Sequence, residues 1–279
     1  MSRLSSATRL LAAVLLLFAH AQVFAQVLPV TVNVSGETAT VRVGPASAPI
    51  ADLTLIFDDA SGLSASSLGV SARWVGLNDA LLQGRLPSAA LTALDGAFPL
   101  LVSIEPPVGG GLSFQRTVRV ELRAPVLAYS AGSSYRLFKA PLGGAFRDIT
   151  DEVAPGSVRA RGTTGGFSQF LILSDLRASD AVAAEKLAAL RAVVAGLPPA
   201  ERTPLSAALD ACEASLASAD FASATGALDL FRERVSARAG LGIAQTWQAG
   251  GASANPAGEL LAGAATLKFS IAFLRDYGR

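Results

Sequence analysis

Residues 113–123, Ser113-Phe114-Gln115-Arg116-Thr117-Val118-Arg119-Val120-Glu121-Leu122-Arg123, decide the first half of the fold. Side chains of a strand alternate with a period of two. Phe114, Val118, Val120 and Leu122 therefore fall on one side, and Gln115, Thr117, Arg119, Glu121 and Arg123 on the other. Arg116 interrupts the apolar side and is read as lying near the wet end of the strand. One apolar face and one polar face mark an antiparallel sheet. The pattern repeats outward from there. Val30, Val32 and Val34 alternate with Thr31 and Asn33, Val41 and Val43 follow the Ser35-Gly36 turn, and Leu53, Leu55 and Phe57 form another apolar face. Pro106-Pro107 and Gly109-Gly110-Gly111 punctuate the runs. Residues 26–175 are thus expected to form a mainly β domain, an immunoglobulin-like β-sandwich of two packed sheets, with one short helix at 88–96.

Near Leu176 the period changes from 2 to 3.6. Residues 176–279 read as an all-α bundle of about four helices. Ser179 or Asp180 is the expected cap of a helix running to about Ala195, stopped by Gly196 and Pro198-Pro199. Thr203-Pro204 reads as a cap followed by Pro at the first helical position. The stripe Leu205, Leu209, Cys212 and Leu216 follows. Asp220 caps the next helix, with the stripe Phe221, Ala224, Leu228, Phe231 and Val235, and Gly240 ends it. These two stripes predict an antiparallel helical hairpin. Asn255-Pro256 starts a last helix with the stripe Leu260, Ala264, Leu267, Ile271 and Leu274. Lys268 lies inside that stretch, and about 20 apolar residues are needed to span a bilayer, so the helix is expected to pack in the bundle.

The first 25 residues have the three parts of a cleavable signal peptide: basic Arg3 and Arg9, the apolar run Leu10 to Ala19, and small residues ending at Ala25. Export to the periplasm or the exterior is the expectation. A lipoprotein route is closed, because the only Cys is Cys212. Loss of Arg3 and Arg9 from the 23 basic residues leaves one fewer than the 22 acids, a balance with no attraction for nucleic acid or an anionic membrane surface. One Cys allows no internal disulfide, so the chain relies on its 51% hydrophobic content. The only histidine is His20, inside the leader. Ser-His-Asp and Cys-His nucleophile activation and imidazole metal sites are therefore closed to the mature chain. Carboxylate, Ser-Lys and calcium chemistry stay open, and no cofactor is expected.

Asp58-Asp59 with Ser61 and Gly62 offers oxygen ligands for a hard cation, but a full loop motif is absent and a solvated turn is the plainer reading. Asp151-Glu152, adjacent on one expected loop, does not resemble paired glycosidase carboxylates facing each other across a cleft about 5–10 Å wide. Lys139, Lys186 and Lys268 lie in no Ser-x-x-Lys motif, and the latter two read as surface charges on helices. Cys212, on an apolar stripe, reads as a buried thiol. Arg116, Arg119, Arg123 and Arg136 suggest one solvated sheet face. Trp74 belongs to a strand-like run and reads as core. Trp247 begins a loop and is the candidate ligand-binding residue, an aromatic platform for a sugar ring.

Two segments carry resemblances. Tyr135-Arg136-Leu137-Phe138, then Gly144-Ala145-Phe146-Arg147-Asp148-Ile149-Thr150, then Gly166-Phe167-Ser168-Gln169-Phe170 resembles the closing hairpin of β-sandwich modules in bacterial secreted and surface proteins. Ala217-Ser218-Ala219-Asp220 followed by Leu228, Phe231, Val235 and Gly240 resembles the FIMAH helical domain of secreted bacterial proteins, with Arg232 in place of that family's Ile. The layout is similar to that of exported proteobacterial proteins. It implies a non-enzymatic structural or interaction protein of the envelope or extracellular space, with an envelope protein or polysaccharide as partner. A carbohydrate-binding module and a carboxylate-based hydrolase are the alternatives.

Overall fold

The computed structural model describes residues 26–251 and 254–278; the expected signal peptide lies outside them. In chain order the strand-rich part contains β1 (Val27–Leu28), β2 (Val30–Ser35), β3 (Thr38–Val43), β4 (Ala51–Phe57), β5 (Ala60–Ser61), α1 (Ala65–Leu68), β6 (Val70–Trp74), α2 (Ala80–Gln83), β7 (Thr92–Leu94), β8 (Leu100–Ile104), β9 (Ser113–Gln115), β10 (Val118–Ala128), β11 (Tyr135–Ala140), β12 (Arg147–Asp148), β13 (Thr150–Ala154), β14 (Ser157–Thr164) and β15 (Gln169–Asp175). Four long helices follow, with a short strand among them: α3 (Ser179–Ala195), α4 (Pro199–Ala217), α5 (Phe221–Arg238), β16 (Thr246–Gln248) and α6 (Pro256–Tyr277).

All strand pairings are antiparallel. One sheet runs β1-β6-β8-β15-β11-β12, with β7 also on β15; the second runs β13-β14-β10-β4-β3-β2. Strands β3, β10 and β14 alternate buried and accessible residues, as the period-two pattern requires. Their inward residues Val41, Val120 and Ala160 share one core with Ala72, Val102, Leu137, Phe170 and Ile172 of the first sheet. Strand β15 differs, because five consecutive residues, Gln169 to Leu173, are buried. Its second face, with Leu171 and Leu173, is covered by Leu82, Leu86, Leu94 and Phe146, so both faces are dry.

The helices have a separate core: Leu187, Leu190 and Val194 of α3, Leu205, Leu209 and Cys212 of α4, Leu228, Phe231 and Val235 of α5, and Leu260, Leu267 and Ile271 of α6. Asp220 caps α5 by accepting the Ser223 N–H at 3.0 Å, and Asn255 caps α6 by accepting the Gly258 N–H at 2.9 Å. Glu201, buried at the start of α4, accepts from Arg238 Nε at 2.7 Å near the end of α5 and closes the hairpin. Helix α6 is long and apolar enough to cross a membrane by length and composition alone. Here its Leu260, Ala264, Leu267 and Ile271 are fully buried in the bundle.

The structure corrects five local expectations. The 113–123 strand is two strands, because Arg116 has a φ of 52° and turns the chain between β9 and β10. Residues 88–96 form a turn and then β7, with Thr92 donating from N and Oγ1 to Ser88 O at 2.8 and 2.6 Å; the short helices lie at α1 and α2 instead. Helix α3 is preceded by Ala178 with no side-chain cap, and Asp180 sits in its first turn. Helix α4 begins at Pro199, where the missing N–H costs nothing, and Pro204 lies inside it. Asp151 and Glu152 belong to β13 rather than to a loop.

Candidate functional site

Three polar assemblies join the helices to the sheets, and a cleft opens between them. The first is built on Asn255. Its amide donates to Arg116 O at 2.6 Å and Gly165 O at 3.0 Å while its oxygen caps α6. The left-handed backbone at Arg116 presents that carbonyl, and Arg116 N donates to Gln245 O at 2.6 Å. A Cβ on Gly258 would collide with the Arg116 carbonyl, and one on Gly165 would come within 2.6 Å of Glu259 N. Only glycine allows the loop after β14 and the start of α6 to approach this closely.

The second assembly is almost wholly buried. Lys186 of α3 donates to Asp148 Oδ2 of β12 at 2.7 Å, to Thr266 Oγ1 at 2.6 Å and to Ser270 Oγ at 2.9 Å, both on α6. Asp148 Oδ1 accepts the Thr150 N–H at 2.8 Å, and Thr266 Oγ1 donates to Thr150 O at 2.7 Å. Side chains of Lys186 and Asp148 are only 7% and 2% exposed. Burial alone would raise the Asp148 carboxyl; Lys186 and Arg136, with the hydrogen bonds, overcome this and hold it below its ordinary value. Lys186 was expected at the surface. It lies instead one helical turn from Val182 and Leu190 on the buried stripe, at the centre of the interface.

The third assembly centres on Lys139 of β11. Its ammonium donates to Thr164 Oγ1 of β14 and stands 3.5 Å from Glu259 Oε1 of α6. Directly opposite Lys139 in the hairpin register is Arg147 of β12. Arg147 is exposed and makes no ion pair or side-chain hydrogen bond among the described residues. The Lys139 side chain is 15% exposed. Burial pulls its amine below the ordinary value; Glu259 opposes this and Arg147 adds to it.

Lys139, Arg147 and Glu259 line a cleft of about 620 Å³ between β14, α3 and the start of α6. Leu190 and Val193 of α3 form an apolar wall, and Trp247 of β16 stands at another side. Strand β16, from the loop between α5 and α6, pairs with β9, which pairs with β5. Trp247 lies opposite Phe114 in this register and stacks on it with centroids 5.2 Å apart, and it meets Phe167 edge-on, also at 5.2 Å. It is half-buried, with one ring face committed to Phe114. Its indole N–H makes no hydrogen bond among the described residues.

The other sequence candidates lie elsewhere. Asp58 accepts from Thr117 Oγ1 at 2.7 Å and pairs with Arg116 at 3.5 Å. Asp151 accepts from Thr163 Oγ1 at 2.6 Å, and Glu152 pairs with Arg119 at 2.6 Å and Arg161 at 2.5 Å. Arg123 bonds Asp52 at 3.2 Å. Arg136 does not share that face: it is buried on β11 of the other sheet, over the rings of Phe269 and Phe273. Lys268 pairs with Asp229 at 2.5 Å. Cys212 is fully buried, and burial pushes its thiol up to about 11. Trp74 is half-buried against the shared core. No group of three or more His, Cys, Asp or Glu side chains placed to hold a metal ion occurs among the described residues. Of the sequence candidates, Trp247 and two of the lysines meet at the cleft. Arg147, Glu259 and Asn255 were missed as site residues because their roles depend on segments distant in sequence.

A family of unknown function, DUF6689, matches residues 12–275. The chain belongs to this family. The match runs through the sheets and all four long helices, so both halves and the cleft between them fall within one family unit. No curated protein matches the chain.

Proposed function

We propose that this DUF6689 member is an exported, non-enzymatic binding protein of the bacterial envelope or extracellular space, and that the cleft between sheet and helices is its recognition site. The observation that carries the reading is the convergence of Lys139, Arg147, Glu259 and Trp247 on one cleft of about 620 Å³, within the size range of small-molecule sites. Export is supported by the leader pattern of residues 1–25. In the finer form of this reading, the two sheets that share a core are an immunoglobulin-like sandwich, and the α4–α5 hairpin belongs to a FIMAH-like bundle. A polysaccharide platform is less well supported, since Trp247 commits a face to Phe114. A carboxylate hydrolase is less well supported too: Glu185 and Glu259 line the cleft, but Glu185 is paired with Arg177 at 2.5 Å and Glu259 faces Lys139.

The test uses envelope extract passed over immobilised mature chain and over an Ala189→Trp variant. Ala189 lines the cleft, and a tryptophan there fills it. Retained small molecules are identified by mass spectrometry, with circular dichroism confirming that both proteins are folded. Species held by the native chain and lost in the variant are expected. Identical retention profiles would contradict the reading.

A further inference from the structure

The charges in the cleft are unevenly matched. Lys186, which also lines it, is neutralised by Asp148 and saturated by Thr266 and Ser270. Glu185 is engaged by Arg177. That leaves two cations, Lys139 and Arg147, opposite each other in the β11–β12 register. Residues so placed have Cβ atoms about 5 Å apart, and like charges there repel. The counter-charge is weak. Glu259 is 48% exposed and stands 3.5 Å from the Lys139 ammonium, whereas a charge-assisted N–H···O bond settles at about 2.7–2.9 Å. A largely buried ammonium beside an exposed guanidinium, with so loose a counter-ion, is an incomplete electrostatic site. Beside it stand the apolar side chains of Leu190 and Val193 and the indole N–H of Trp247, which has no hydrogen bond among the described residues.

We infer that the cleft takes an amphipathic organic anion, with an oxyanion head on Lys139 and Arg147 and an apolar body against Leu190, Val193 and Trp247. This rests on the cleft being the recognition site. A carboxylate or a phosphate monoester supplies the head: either accepts from the guanidinium fork and the ammonium together. On entry the head takes the place of Glu259 beside Lys139, and the Glu259 side chain turns to solvent, where half of it already lies. The apolar body removes Val193 from water and packs beside the already buried Leu190.

The experiment is a fluorescence titration of the mature chain carrying Trp74→Phe, which leaves Trp247 as the sole indole of the two in the chain. The probes are decanoate, decyl phosphate and neutral decanol. At least one anion is expected to bind about tenfold or more tightly than decanol, the range of a charged hydrogen bond. The arm that binds tighter tells carboxylate from phosphate. Lys139→Met should abolish the preference, and Arg147→Ala should reduce it. Glu259→Gln should tighten anion binding by removing the competing carboxylate. Decanol binding as tightly as both anions overturns the inference and leaves the cleft as a site. Weaker anion binding in Glu259→Gln also overturns it, since that points to a cationic or zwitterionic ligand. No response to any probe overturns it as well, while the Ala189→Trp retention test stands or falls on its own.

Discussion

Two lysines meet the same interface and are treated in opposite ways. Lys186 has a carboxylate and two hydroxyls within 2.9 Å and is almost wholly buried between β12, α3 and α6, at the edge of the cleft. Lys139 has one hydroxyl, a distant carboxylate and an arginine beside it, and it opens on a cleft. A buried ion is tolerated when its geometry and hydrogen bonds are complete. The Lys186 end meets that condition and fixes how the helices sit on the sheets. The Lys139 end does not meet it, and this under-compensated charge is what the proposed recognition site is built on.

The sharpest way to break this contrast is to remove one partner of the sealed pair. Asp148→Ala strands the Lys186 ammonium, and a loss of about 3–5 kcal/mol is expected, read from urea unfolding. The double variant Lys186→Met with Asp148→Leu should recover most of it. If the single variant costs nothing, the sealed end is not structural. The same pair sets an acid limit. The Asp148 carboxyl is lower in the folded chain than its unfolded value of 3.8. Its contribution is therefore fully present above 3.8 and is lost as pH falls through the folded value. Urea midpoints measured from neutral pH downward should show this loss, and Asp148→Asn should remove it.

Next in size is the joint at Asn255. Gly258→Ala forces a Cβ onto the Arg116 carbonyl and should cost about 1–3 kcal/mol, as overpacking does. Asn255→Ala removes a cap and two bonds to backbone carbonyls, an expected loss of about 1–2 kcal/mol. The smallest effect belongs to the open end. Lys139→Met should change stability at neutral pH by no more than about 1 kcal/mol. The folded amine lies below its unfolded value of 10.5. Holding it charged therefore costs stability below the folded value, and that cost disappears as pH rises toward 10.5. The native chain should gain stability across that window relative to Lys139→Met, as parallel thermal melts will show.

Much of the fold is written locally. Alternation in residues 53–57 and 118–123 marks the half-solvated sheet. The stripes ending at Leu216 and Val235 mark the helical hairpin, and Asp220 and Asn255 are caps where expected. Alternation fails at β15, because a strand dry on both faces has no polar side to show. Pro204 misleads because a proline one turn inside a helix resembles one at its start, and Pro199 already fills that place. The Lys186 signal was present in the spacing Val182, Lys186, Leu190, which puts the ammonium on the apolar stripe. The cleft was not legible: the β11–β12 register sets Lys139 against Arg147, the β16–β9 pairing places Trp247, and the packing of α6 on β13 and β14 adds Glu259, contacts that no local pattern shows.

The most direct test sets the two lysines side by side in thermal unfolding with and without whichever of decanoate and decyl phosphate binds more tightly. Lys186→Met, which strands Asp148 at the cleft wall, should lower Tm by roughly 10 °C, and the neutral double variant Lys186→Met with Asp148→Leu should recover most of that loss and still show the anion-induced rise. Lys139→Met should keep Tm within a few degrees of the native value and lose that rise. If Lys139→Met falls as far as Lys186→Met, or keeps the rise, the division between a structural end and a recognition end is wrong.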